Sequence, residues 1–278
     1  MSSPRLVVRL DIDTIACMHP GVDGLLSLAR ENDVKFSFFV NMGRAISYSA
    51  IIRKLVSKSN KDNQVVKLSS VDKLGFGGVL KTLLFNSKVG LSHPQMLHKI
   101  VREGHDLGLH GGKNHGTWQH NARSWGKTKL KEEVEWGFNA MTQIGLPAPN
   151  LFCSPGFTTH PDLEVVLAEL GFLALADDHL EGAKLISPSL RVKDFKRINT
   201  TMLGQPGAVG YVENSMASVL FPDDVAIKVK KSFMQGDAVL YDHPCLVGRH
   251  GLDRLSAIIK VWLGLGGQVV PLRNLIEK

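Results

Sequence analysis

The chain has 278 residues, 44% of them hydrophobic, with a formal charge of +7 and a pI near 9.3. That length and apolar content are ample for a well-buried core and fit one large α/β domain, residues 1–278, better than two small ones. The basic residues are spread along the chain without interleaved aromatics, which argues against a nucleic-acid partner. Three cysteines at wide spacings, Cys17, Cys153 and Cys245, indicate neither a disulfide framework nor a metal knuckle and fit a reducing compartment. Met1 to Arg5 leads straight into a strand with no room for a secretion signal, and no apolar run approaches a bilayer span. The expectation is a cytoplasmic protein whose membrane contact, at the inner face of the cytoplasmic membrane, is peripheral.

In chain order, Arg5 to Leu10 is a near-continuous apolar run, predicted as a strand buried on both faces. It ends in Asp11, Ile12, Asp13 and Thr14, and the side-chain period of two puts both carboxylates on one side. Pro20 to Glu31 has helical spacing of its apolar residues, and Val34 to Val40 reads as the next strand, an order that predicts a parallel sheet. Ile46 to Val56 looks helical. Val71 to Leu91 mixes leucines and phenylalanines with Lys73, Lys81 and Lys88, and either packs into the core or docks on an anionic membrane. A helix over Pro94 to Arg102 leads to a short strand end, Leu107 to Leu109, which delivers His110 and His115 into a glycine-rich loop. Gly111 and Gly112 let the backbone turn there, so the two imidazoles can converge on one point. With one carboxylate added, they are the donor set of a hydrolytic metal site.

Trp118 and Trp125 come next, to line a cleft or to pack over the barrel mouth. A helix (Leu130 to Ile144), a strand (Asn150 to Cys153), a loop (Ser154 to Phe157), a helix (Pro161 to Leu170) and a strand (Phe172 to Ala176) follow, the last running into Asp177, Asp178 and His179. Weaker strands are expected at Lys184 to Ile186 and Val209 to Val212, then a helix over Val225 to Met234 and a strand over Asp237 to Tyr241 that ends in Asp242 and His243. A helix (Leu252 to Leu263), a strand (Gln268 to Val270) and a helix (Leu272 to Ile276) close the chain.

Polar groups thus gather at successive strand ends, which in a parallel barrel share one cleft. On Arg9 to Thr14, Gly21 with Val22, Phe38 with Phe39, Gly108 to His110 with His115 and Trp118, Pro155 to Phe157, Asp177 with Asp178, and Tyr241 to His243, the chain resembles the NodB-type polysaccharide deacetylase superfamily. Within it, the chain is most similar to the branch that deformylates a lipid-linked formamido-arabinose. The resemblance implies a distorted (β/α) barrel of about seven parallel strands. It implies a divalent metal, zinc or else manganese, cobalt or nickel, held by Asp13, His110 and His115. Asp11 would be the catalytic base, and His243, oriented by Asp178, the acid. Pro155, Gly156, Phe157 and Trp118 would contact substrate, a lipid-linked or soluble N-acylated amino sugar that loses a formyl or acetyl group. A deacetylase of a soluble glycan and a non-catalytic glycan-lipid binder are the alternatives. Two departures stand out. The histidines are five apart where the family usually has four, which brings His120 and Asn114 into contention, and the family's third-motif arginine is absent near Cys153 and Ser154, leaving Asp11 without that partner.

Overall fold

The computed structural model describes residues 3–48, 86–204, 209–220 and 222–276. Among these, one sheet contains β1 (Arg5–Ile12), β2 (Ser37–Val40), β3 (Asp106–His110), β4 (Leu151–Cys153), β5 (Ala174–Asp178), β6 (Ile186–Pro188), β7 (Lys196–Asn199), β8 (Ala238–Asp242) and β9 (Gln268–Val269). The order is β6-β7-β5-β4-β3-β2-β1-β8, with β9 beside β1, and every pairing is parallel except that of β6 with β7. The sheet curls until its two sides meet: just past β7, Met202 donates to Val239 O (2.9 Å) and accepts from Tyr241 N (3.1 Å). The seven parallel strands from β7 to β8 along this path make a half-barrel, where the resemblance implies a distorted barrel of about seven strands, with one narrow bridge at the seam.

β1 shows why the sequence builds this shape. Leu6, Val8, Leu10 and Ile12 face the surrounding helices, while Val7 joins Phe39, Leu151, Ala174, Ile198 and Val239 inside the curl. Both faces are buried, so both must be apolar over most of their length. Gly108 makes room for this interior, because a Cβ there would lie 2.6 Å from the Phe39 ring. Leu272 and Leu275 plug the amino end of the curl. There Leu272 N donates to Ser37 Oγ (2.7 Å), and Arg273 N donates to the Asp106 carboxylate (3.0 Å).

Three expectations change. β7 went unpredicted because Lys196, Arg197 and Asn199 mask its strand character, Ile198 alone joining the inner apolar cluster. Val209 to Val212 is not a strand but leads into a helix, Tyr211–Ala217, because the Asp242 carboxylate accepts from Val212 N (2.6 Å) and Glu213 N (3.3 Å) and so satisfies that helix's first amides. The predicted strand at Lys184 to Ile186 shifts to the antiparallel β6. The Ile46 to Val56 helix lies almost wholly outside the described residues, as do Lys73 and Lys81; Lys88 is inside them, its ammonium 5.6 Å from the centre of the Trp136 ring. Among the described residues no helix is long and apolar enough to cross a membrane.

Candidate active site

Three side chains of β1 and its exit climb the inside of the half-barrel at a spacing of two. Arg9 is 0% exposed, Asp11 2%, and Asp13, just past the strand, 20% at its side chain. Arg9 pairs with Asp11 through both oxygens, Nε to Oδ1 at 3.0 Å and Nη2 to Oδ2 at 2.7 Å. The guanidinium lies 5.4, 4.8 and 5.0 Å from the ring centres of Phe39, Phe157 and Tyr241. Its third nitrogen donates to Ala176 O and reaches Thr200 Oγ1 at 3.4 Å. The partner that Asp11 lacked by family pattern is supplied two residues before it on the same strand. Period-two reading of β1 would have found it.

The histidine loop is built by close backbone packing. Gly111 has φ +77°, and a Cβ on Gly112 would lie 2.6 Å from Glu133 Oε2, so neither position suits a larger residue. Lys113 N donates to Glu133 Oε2 (2.8 Å), and His115 N donates to Arg44 O (2.8 Å). Asn114 caps the helix His115–Asn121 by accepting from Thr117 N (2.8 Å) and donates to Ile46 O (2.8 Å), so neither of its polar atoms is left for the cluster. His120 is exposed. The five-residue spacing therefore brings His115 itself, at the first turn of that helix, to His110, with ring centres 5.1 Å apart.

Asp13 is the point of convergence. Its Oδ1 lies 3.1 Å from His110 Nε2 and 3.4 Å from His115 Nε2, and its Oδ2 lies 3.3 Å from His243 Nε2. Asp13 Oδ1 and His115 Nε2 are buried atoms that no hydrogen bond satisfies. Asp13, His110 and His115 bring one ligand atom each within 4.8 Å of one another. Behind the cluster, His110 Nδ1 donates to Cys153 O at 3.1 Å, which orients the ring so that Nε2 faces Asp13. Burial works to raise the Asp13 carboxyl, but the facing imidazoles of His115 and His243 outweigh it and hold it well below the usual carboxylate range. An anionic oxygen and two imidazole nitrogens, that of His110 oriented through its outer nitrogen, suit zinc or a first-row neighbour.

His243 closes the opposite side. Its Nε2 is 3.0 Å from Tyr241 Oη, and Glu213 and Asp242 bring carboxylate oxygens within 4.8 Å of one of its ring nitrogens. Burial pushes Asp242 up to about 7 against the pull of His243. The pairing of His243 with Asp178 does not occur: Asp178 binds Arg197, with Nε to Oδ2 at 2.8 Å. Successive strand residues face opposite ways, and it is Asp177, 4% exposed, that turns inward and accepts from Ser154 N (2.7 Å). Two further expectations are corrected. Trp118 is fully buried with Nε1 on Thr158 O (3.0 Å), so it props up the Pro155 loop instead of lining a cleft. Pro155 packs under Gly111 and Phe157 over Arg9, both buried, and of the three only Gly156 is exposed. A cavity of about 700 Å³ lies along the seam between β7 and the start of β8, and no residue of this cluster lines it.

The curled parallel half-barrel matches the fold of solved carbohydrate deacetylases and esterases. The chitin deacetylase of the fungal pathogen Colletotrichum lindemuthianum superposes with a TM-score of 0.59 at 12% identity, over 100% of this chain and 89% of that one. The family 4 carbohydrate esterase from Streptomyces lividans, solved with acetate, gives 0.54 at 12% identity, over 98% and 93%. Within that fold class the chain belongs to the polysaccharide deacetylase family, whose sequence model matches residues 4–175. It is also 27% identical over 151 residues to the probable 4-deoxy-4-formamido-L-arabinose-phosphoundecaprenol deformylase of Shewanella sediminis, which covers 52% of this chain and 47% of that protein. The chain thus spans about half the length of the curated relative it matches.

Proposed function

We propose that the chain is a metal-dependent amide hydrolase that removes a formyl or acetyl group from an N-acylated amino sugar, with a polyprenyl-phosphate-linked formamido-arabinose as the substrate favoured by the Shewanella relative. One observation carries this reading: Asp13 Oδ1 and His115 Nε2 are buried, face each other at 3.4 Å beside His110, and have no hydrogen-bond partner. Asp13, His110 and His115 would hold a divalent cation, zinc or else manganese, cobalt or nickel. Such an ion supplies Lewis-acid polarisation of the amide and activation of water.

The remaining work falls to the chain's own residues. Asp11, beside His110 but bonded to Arg9, takes the proton of the attacking water. The water oxygen bonds to the acyl carbon and the carbon–nitrogen bond breaks, giving a carboxylic acid and an amine. His243 gives the departing nitrogen its proton, with Tyr241 Oη and the Glu213–Asp242 carboxylates fixing the ring. The exposed Gly156 presents backbone to the substrate beside the mouth.

The test is amine release from a soluble N-formyl amino sugar, its N-acetyl counterpart and a polyprenyl-phosphate-linked N-formyl sugar, with zinc, cobalt or manganese loaded and then stripped by chelator. Chelator-sensitive release, greatest on the lipid-linked formamide, is expected. No release from any of the three at full metal occupancy would refute the reading.

A further inference from the structure

Asp11 and Asp13 lie two residues apart on one side of β1 and face one cluster, yet the proposed function gives them different work, base and ligand. We propose that Arg9 enforces that division by holding Asp11 off the cation, an inference that rests on the Asp13–His110–His115 site proposed above. Asp11 is close enough to join. Its Oδ2 lies 3.9 Å from His110 Nε2, and Asp11, His110 and Cys153 also bring one ligand atom each within 4.8 Å of one another. A carboxylate free to rotate beside a divalent cation in a buried site is drawn onto it, because attraction between full charges there exceeds that of a neutral hydrogen bond. Once a ligand, it is a poor acceptor for a water proton.

Arg9 blocks that rotation by geometry. Two bonds from one planar fork, Nε to Oδ1 at 3.0 Å and Nη2 to Oδ2 at 2.7 Å, pin both oxygens and so the plane of the carboxylate. The fork cannot turn either, with Nη1 on Ala176 O and the rings of Phe39, Phe157 and Tyr241 around it. At 0% and 2% exposure, water does not compete for the pair. The register comes from the strand: alternate residues stand on one face roughly 6.6 Å apart, a span that the longer arginine crosses to meet the shorter aspartate side by side. A lysine reaches the same place as a point charge and leaves one oxygen free.

Arg9→Lys is therefore the informative variant, because it keeps the charge and removes the fork. Metal affinity, read by competition with a chromophoric chelator, should tighten about tenfold as Asp11 joins the ion. X-ray absorption of bound zinc should show one more oxygen ligand, and turnover at saturating metal should fall at least about tenfold. Adding Asp11→Asn to Arg9→Lys should abolish the affinity gain, an outcome that loss of a merely structural contact would not produce. Arg9→Met, which fills the ring cage without a fork, gives the same ligand count if the lysine variant does not fold. An unchanged ligand count in a folded Arg9 variant overturns the proposal, and so does an affinity gain that persists in Arg9→Lys with Asp11→Asn. A wild type that binds the ion but releases no amine refutes the activity, and the affinity and ligand count of the Arg9 variants still decide whether Arg9 holds Asp11 off the ion. A wild type that binds no cation overturns both.

Discussion

Asp13 and Asp106 sit at opposite ends of the same sheet. Asp106, 5% exposed at the amino end of β3, accepts from Ser37 Oγ (3.0 Å), from Arg273 N (3.0 Å) and from the Arg273 guanidinium. Asp13, past the carboxyl end of β1, faces imidazole nitrogens at 3.1, 3.4 and 3.3 Å, and its Oδ1 has no hydrogen bond. Burial of a carboxylate is therefore uninformative by itself. What separates structure from chemistry is whether the surrounding donors satisfy every oxygen, as at Asp106, or leave a buried one unsatisfied, as at Asp13.

The largest expected effect breaks the comparison outright. Asp13→Ala should weaken metal binding at least about a hundredfold and abolish turnover while the protein stays folded. Asp106→Ala should leave metal binding untouched and instead cost about 2 kcal/mol of stability, a figure moderated because Arg273 is 37% exposed and can turn to water. Chelator competition and urea unfolding on both variants check the pair.

Next in size, Asp11→Asn should keep the metal and lose turnover about a hundredfold, as expected for removal of a general base. Steady-state kinetics at saturating metal measure this. Smaller again is the contrast between the carboxylates on either side of the mouth. Glu213→Gln should slow turnover about tenfold through His243, whereas Asp178→Asn, bonded to Arg197 and not to the histidine, should change it by less than about twofold.

Much of this was legible in the residues. The parallel sheet followed from strand-helix alternation, and the cluster from polar residues at strand ends, because both depend on local periodicity; the curl into a barrel came from the family resemblance. The carboxylate that lies near His243 beside Asp242 was not legible: Glu213 is 30 residues before it, on a helix whose first amides Asp242 satisfies. The roles of Trp118 and Phe157 were hidden for a related reason, since whether an aromatic lines a cleft or props one up is settled by packing from distant elements. Arg9 was legible and overlooked. Its position two before Asp11 on a strand already fixes the pair on one face.

The smallest effect returns to the amino end. His105 is held neutral among Phe36 and Phe38, where its Nδ1 accepts from Phe36 N (2.9 Å), and burial lowers it to about 4. A histidine lowered on folding binds fewer protons in the folded chain, so stability should be full above about 6.5 and fall as pH drops toward about 4. Thermal melts of the wild type and His105→Gln across that window should differ in slope, the variant being flatter, with metal occupancy equal in the two at pH 7.5.

One ion held by Asp13, His110 and His115, across a five-residue histidine spacing, is the centre of the proposed chemistry. Calorimetric titration of the metal-stripped protein with zinc, repeated on His115→Ala, tests it most directly. One site per chain in the wild type, weakened at least about tenfold in the variant, is the predicted result. Equal affinity in the two proteins, or no zinc uptake by the wild type, would contradict it.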